Sequence, residues 1–210
     1  QVDGIIWVPA TLEDQANNSQ LIRQQGRKLV FMDRLIPSIE ADAVIVDDYQ
    51  GAYNAIEHLN RQGYQKIAHV TDCVPAWTSQ ERLRGYQDAI KDFKQKEYIL
   101  ETSASVEGGV DVIERILELP KEERPDALFA FNDPIAIGIG KVLWKEKISP
   151  QEMGLVGYAN TLASEICAVP LSTVHQNSEA IGRQAALSIL HLIREPDLDL
   201  GTSRHSIKTQ

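Results

Sequence analysis

The strongest constraint on the fold is an alternation. Short runs, nearly continuous in apolar residues, recur between longer stretches whose apolar residues return every three or four positions. The short runs are GIIWV (4–8), KLVFM (28–32), AVIV (43–46), KIAHVT (66–71), ALFAF (127–131) and MGLVG (153–157), with EYILE (97–101) a weaker one. Strands that are apolar on both sides read as strands covered on both sheet faces by helices. The longer stretches supply those helices. Residues 48–62 carry Ala52, Ile56 and Leu59 on one face, ahead of Gly63 as a stop. Residues 79–93 carry Leu83, Tyr86, Ile90 and Phe93, and a third pattern carries Val110, Ile113, Ile116 and Leu117 before Pro120. Asp133 is the expected N-cap of a fourth helix, with Pro134 at its first position. Ile181, Ala185, Ile189 and Leu192 repeat in the last helix, which Pro196 ends. This order predicts an α/β fold with doubly wound parallel sheets and right-handed crossovers. PSIEADA (37–43) is the expected linker.

A chain of 210 residues suits one large or two modest domains. No run approaches the roughly 18 apolar residues that a membrane span needs. The formal charge, 21 − 30 = −9, repels phosphate backbones, so this segment is not expected to touch nucleic acid itself. Cys73 and Cys167 form no CxxC and no zinc spacing and are expected as partly buried free thiols. The start, QVDGIIWVP, has no Met and no signal peptide and places a strand almost at the first residue, which suggests a piece of a longer protein.

In an open parallel sheet, ligands bind beyond the carboxyl ends of the strands. The residues that follow the strands are Pro9-Ala10-Thr11, Asp33-Arg34, Asp72 with Trp77, Arg82 and Arg84 beyond it, Asn132-Asp133, and Tyr158-Ala159-Asn160. Amides, a carboxylate, arginines and an indole suit hydrogen bonding to hydroxyls or to a small polar ring, with one aromatic surface. Of the two arginines, Arg82 is expected inward and Arg84 outward. Asn132 sits between two apolar elements, where an unpartnered amide costs about 1–3 kcal/mol, so a polar partner is expected there, from a ligand or from the protein. Asp47 and Asp48 read as a cap and a first-turn charge of the following helix. Enzyme signatures are thin. Gly138 and Gly140 lie within a helix pattern, GxxxxGK[ST] and GxSxG do not occur, and His58, His69, His175, His191 and His205 show no metal spacing. No catalytic residue, cofactor or metal site is assigned.

Five stretches, in order, resemble the lac repressor/galactose repressor (LacI/GalR) family of bacterial transcription regulators. They are VDDYQGAYNAIEHLNRQGYQKIAHVTD (46–72), ERLRGYQDAI (81–90), PDALFAFNDPIAIG (125–138), MGLVGYAN (153–160) and PLSTVHQ (170–176). The resemblance implies a periplasmic-binding-protein-like effector domain of two doubly wound parallel-sheet lobes joined by three crossovers, near residues 44–47, Gln176 and His205. It divides the chain into an incomplete N-terminal lobe, 1–46 plus 177–205, and a C-terminal lobe, 47–176 plus 206–210. The helix-turn-helix DNA-binding domain is absent from this stretch, as are roughly two strands and a helix of the first lobe. SIKTQ (206–210) looks like the start of a last strand.

Residue by residue, the resemblance puts Arg82 at the effector-gripping arginine of R-x-x-G-[YF] and Asn132 at the polar residue of F-x-x-N-D, which reaches a ligand hydroxyl, so a ligand is the expected partner of this amide. It puts Asp33 at a carboxylate after a first-lobe strand and Gln176 at the polar residue of the second crossing. The family's Asp after V-G-[FY] is Ala159 here, so Asn160 is the expected substitute. The family's pocket aromatic near 102–105 is missing, and Trp77 is the expected stand-in. The effector site is therefore expected to comprise Asp33, Trp77, Arg82, Asn132, Asn160 and Gln176. The function implied is sensing: a small sugar-like effector changes operator binding by an attached DNA-binding domain, in a cytoplasmic homodimer with helices beginning near Asp48 and Ser79 at the interface. A periplasmic solute-binding protein of a transporter shares the fold and is the alternative.

Overall fold

A computed structural model describes residues 2–10, 27–167, 170–195 and 202–210. Two compact units emerge from its contacts. The first comprises residues 1–47, 75–78 and 177–209, and the second 48–74, 79–176 and 210. Thr11 and Pro196, singled out above, lie outside the described residues.

The first unit holds a four-stranded parallel sheet in the order β1-β2-β3-β9, made of β1 (Gly4–Trp7), β2 (Lys28–Asp33), β3 (Asp42–Val46) and β9 (Arg204–Ile207). One face packs on the helix Ser178–Arg194 through Val30, Val44, Val46, Ile181, Ala185 and Ile189. The other gathers Leu29, Phe31, Leu35, Ile36 and Ala43, with Ile39, Ala41 and Trp77 against them. Residues 37–43 are therefore no linker. Ile39 and Ala41 anchor a tight β2–β3 connection to that cluster, and Ala43 already lies in β3.

The second unit holds a five-stranded parallel sheet, β5-β4-β6-β7-β8. Its strands are β4 (Ile67–Asp72), β5 (Ile99–Thr102), β6 (Ala127–Ala130), β7 (Gly154–Ala159) and β8 (Ser172–His175). In chain order the helices among the described residues are α1 (Asp48–Arg61), α2 (Trp77–Asp92), α3 (Val106–Glu118), α4 (Asp133–Lys145), α5 (Leu162–Ile166) and α6 (Ser178–Arg194). Trp77 and Thr78, which open α2, group with the first unit. One face of the sheet packs on α1 and α2 through Ala52, Ile56, Leu59, Tyr86 and Ile90. The other packs on α3 and α4 through Val112, Ile113, Ile116, Ile135 and Ile139. That double cover is why the strands read as unbroken apolar runs.

Two glycines have positional meaning. Gly63, at φ +99°, stops α1 in a conformation other residues resist. Gly138 lets α3 and α4 touch along their backbones, since a Cβ there would collide with the Val106 carbonyl oxygen.

Two local expectations change. Asn132, not Asp133, caps α4, because its side chain accepts from the Ile135 N–H. Cys73 is exposed rather than partly buried. No helix among the described residues is long and apolar enough to cross a membrane.

Candidate functional site

The carboxyl ends of β6, β7 and β8 lie side by side in the second unit. Arg82, in the second turn of α2, reaches over two of them. Its guanidinium lies 3.6 Å from the centre of the Tyr158 ring and 4.7 Å from that of Phe131. Nη1 donates to the Phe131 carbonyl at 2.7 Å, and Nε donates to Asp48 Oδ1 at 2.7 Å. Arg82 is only 4% exposed and Asp48 only 1%. Asp48 is thus not simply a first-turn charge at the start of α1. It is the counter-ion of a buried arginine, and taking either partner away would strand the other in a place water does not reach. Arg84, two residues on, is exposed and lies over the Tyr49 ring.

Asn132 follows Phe131 and is half-buried. Its Oδ1 accepts from the Ile135 N–H at 3.0 Å, and its Nδ2 donates to the Ala104 carbonyl at a long 3.4 Å. Protein groups therefore supply the partners this amide required, with capping as the main reason for its identity. The Ala104 contact is weak enough to be exchanged.

Tyr158 ends the apolar part of β7. Burial, with the Asp48 carboxylate adding to it, pushes its phenol well above the usual tyrosine range, so the ring stays neutral. Beyond it Ala159 adopts φ +116° and Asn160 φ +54°. The first is a region that a residue with a Cβ enters only when its surroundings force it. Asn160 Nδ2 lies 2.9 Å from His175 Nδ1, and its N–H donates to Thr173 Oγ1 at 3.3 Å. Gln176 directly follows His175 and is half-buried.

The second unit thus brings Arg82 to the carbonyl preceding Asn132, and Asn160 to the residue preceding Gln176. Asp33 and Trp77 belong to the first unit. Asp33 ends β2 at φ +68° with Arg34 Nε 3.7 Å away. Trp77 packs on the Leu29–Phe31–Leu35 cluster, and its indole N–H is buried without a hydrogen-bond partner among the described residues. Sequence reasoning did not single out His175 or Tyr158 as site residues, and it found the first-turn place of Asp48 but not its pairing with Arg82. Asp48 meets its partner 34 residues away, so no local pattern could reveal it. His175 could have been found from its place at the end of PLSTVHQ, beside Gln176. Among the described residues no cluster of His, Cys, Asp and Glu is arranged to hold a metal ion. The chemistry at these strand ends is hydrogen bonding around one neutralised cation.

Residues 56–208 match the periplasmic binding protein-like domain. The HTH-type transcriptional repressor PurR of Vibrio atlanticus is 31% identical over 201 residues, covering 94% of this chain and 59% of that protein. The ribose operon repressor of Haemophilus influenzae is 29% identical over the same coverage. The chain therefore spans about three-fifths of the length of these relatives. A LacI-family regulator of Enterococcus faecium, solved with bound ribose, superposes with a TM-score of 0.88 at 26% identity, over all of this chain and 77% of that one. The family match, the relatives' coverage and the two parallel sheets agree: the chain belongs to the periplasmic binding protein-like family, as an effector-binding domain of the LacI/GalR kind.

Proposed function

We propose that the chain is the sensing part of a bacterial transcription regulator, and that it binds a small, uncharged, hydroxyl-rich metabolite at the carboxyl ends of β6, β7 and β8. The observation that carries this reading is the Asp48–Arg82 pair. It holds a guanidinium between two aromatic rings while cancelling its charge. Such a group suits a hydroxyl or carbonyl better than an anion, because binding a second anion would have to displace or repel Asp48. At the same strand ends Asn132 and Gln176 offer amides and Asn160 holds His175, while Asp33 and Trp77, whose indole N–H has no partner among the described residues, are the candidates in the first unit. The similarity to repressors, and to a LacI-family regulator solved with ribose, supports a sugar-like effector and favours a regulator over a transporter's binding protein.

Regulation follows from differential affinity. An effector that prefers one conformation shifts the protein toward it, and the coupling to DNA is typically about 1–3 kcal/mol. DNA contact falls to an attached helix-turn-helix domain, consistent with the −9 charge of this chain. The site of action is the cytoplasm, and the working form is a homodimer. The exposed side chains of α1 and α2 are all polar, which disfavours those helices as the interface. Trp144 of α4 and Leu162 and Ile166 of α5 are 65%, 72% and 75% exposed, and a second copy covering them fits the general use of exposed apolar patches.

The test is a thermal-shift screen of neutral sugars, sugar phosphates and nucleosides. A ligand at a hundredfold its Kd adds about 2.7 kcal/mol to the folded state, or roughly 5–10 °C for a chain of this size. The expected result is stabilisation by at least one neutral sugar and none by its phosphate. Stabilisation by sugar phosphates alone would contradict the charge argument.

A further inference from the structure

Asp133 is fully buried and carries no cap, yet its carboxylate is saturated with bonds to a different part of the chain. Oδ2 accepts from the Thr161 N–H at 2.7 Å and from Thr161 Oγ1 at 3.0 Å, and Oδ1 accepts from Thr173 Oγ1 at 2.6 Å. Room for this approach is kept by Gly157, where a Cβ would stand 2.6 Å from Oδ1. The bonds surround the strained residues on both sides. Thr161 follows the Ala159–Asn160 pair in the chain, and Thr173 Oγ1, held by Asp133, accepts from the Asn160 N–H. A buried carboxylate with three donors is a strong clamp, and it is the evident reason that Ala159 stays at a φ normally left to glycine.

The clamped turn fixes one side chain in turn. Asn160 Nδ2 faces His175 Nδ1 at 2.9 Å; with the amide as donor, Nδ1 accepts and the imidazole proton belongs on Nε2. The His175 backbone is pinned as well, its N–H donating to the Gln210 carbonyl at 2.8 Å and its carbonyl accepting from the Gln210 N–H at 3.2 Å. The ring is half-buried, and Nε2 has no partner among the described residues. We propose that Asp133 is a positioning residue, acting through Thr161, Thr173 and Asn160, and that the group it aims at the effector is the Nε2–H of His175. This rests on the effector site lying at the strand ends of the second unit. It assigns the corner where the family carries a carboxylate, occupied here by Ala159, to a hydrogen-bond donor. The ligand atom it takes is a hydroxyl or carbonyl oxygen, and Asn160 is the orienter rather than the contact.

The test is the long-range ¹H–¹⁵N spectrum of the His175 imidazole at a pH where the ring is neutral. Wild type is expected to show a single Nε2–H tautomer. Asp133→Asn and Thr173→Val are expected to release the turn and give an averaged pair of tautomers, as is Asn160→Ala. Ala159→Gly, which removes the strain but leaves the clamp, is expected to keep the wild-type signature. A purely structural role for Asp133 would lower stability and leave the tautomer alone. Wild-type signatures in folded Asp133→Asn and Thr173→Val, or a mixed or Nδ1–H tautomer in wild type, would overturn the proposal. Thr173→Val is nearly isosteric and carries the test if Asp133→Asn does not fold. D-ribose, added to the wild type, is expected to move the Nε2 resonance. Binding of D-ribose that leaves that resonance still would overturn the role of His175. Failure of every sugar to bind counts against the effector reading alone, because the tautomer measurement uses no effector.

Discussion

His69 makes the fold sensitive to mild acid. It lies in β4, fully buried, stacked on Phe129 with ring centroids 4.9 Å apart and tilted against Tyr86 at 5.3 Å. Nδ1 donates to the Phe129 carbonyl at 3.1 Å, while Nε2 is buried with no partner among the described residues. Burial pulls the imidazole down to about 4 from an ordinary 6.5; the Phe129 bond opposes this and the Arg82 charge assists it. The folded-state value is depressed, so the neutral ring contributes its full stability above about pH 6.5. Below that the unfolded chain takes up a proton that the folded chain refuses, and the contribution fades until the folded ring protonates near 4. The gap of about 2.5 pH units corresponds to about 3 kcal/mol, with about 2 kcal/mol gone by pH 5. Carboxylates titrate in the same window, so the measurement is a difference. Urea unfolding of wild type and of His69→Phe is compared at several pH values from about 7 down to 4.5. Phe keeps the stacking but has nothing to titrate. The expectation is that wild type loses about 2 kcal/mol relative to the variant over that range, whatever the offset at neutral pH. Parallel stability curves for the two proteins would refute the reasoning.

Asp48→Ala leaves the Arg82 guanidinium buried without its counter-ion and should cost about 3–5 kcal/mol, read as a drop in the urea midpoint. If the midpoint hardly moves, Arg82 is less buried in solution than its 4% exposure indicates. For Gly138→Ala, helix propensity alone favours alanine by about 1 kcal/mol. Collision with the Val106 carbonyl predicts the opposite sign, a net loss of about 1–3 kcal/mol, so a more stable variant would show that α3 and α4 do not meet there. Trp144→Glu should weaken self-association, seen by analytical ultracentrifugation as a shift to monomer with an unchanged melting profile of the fold. A variant that dimerises like wild type would move the interface elsewhere.

What could be read from the sequence follows from where each element lies. Strands β2, β4, β6 and β7 announce themselves because both faces of each are covered and their central positions are mostly apolar. β8, at the sheet edge, reads STVH with one buried residue and β9 reads RHSI with three exposed residues, so neither forms an apolar run. α5 has only five residues, too few to show a period. Arg82 and Arg84 were separable because residues two apart on a helix face different ways. FNDP offered two good capping residues in succession, and the end of β6 at Ala130 decided for Asn132. Asp133 was thereby freed for the clamp on Thr161 and Thr173, a set of bonds spanning 28 and 40 residues. Asp48 was hidden for the same reason: tertiary partners of a single carboxylate leave no local trace. The strained Ala159 left none either, since nothing in VGYAN forces a positive φ.

The central claim is that a small neutral metabolite binds at the strand ends around Arg82. Hydrogen exchange by mass spectrometry, with and without the sugar that most raises the melting temperature, reads this directly. The account predicts slowed exchange in peptides covering residues 79–84, 131–135, 158–161 and 173–176. Protection confined to other parts of the chain, such as the apolar groove lined by Trp144, Ile148 and Leu171, would contradict it.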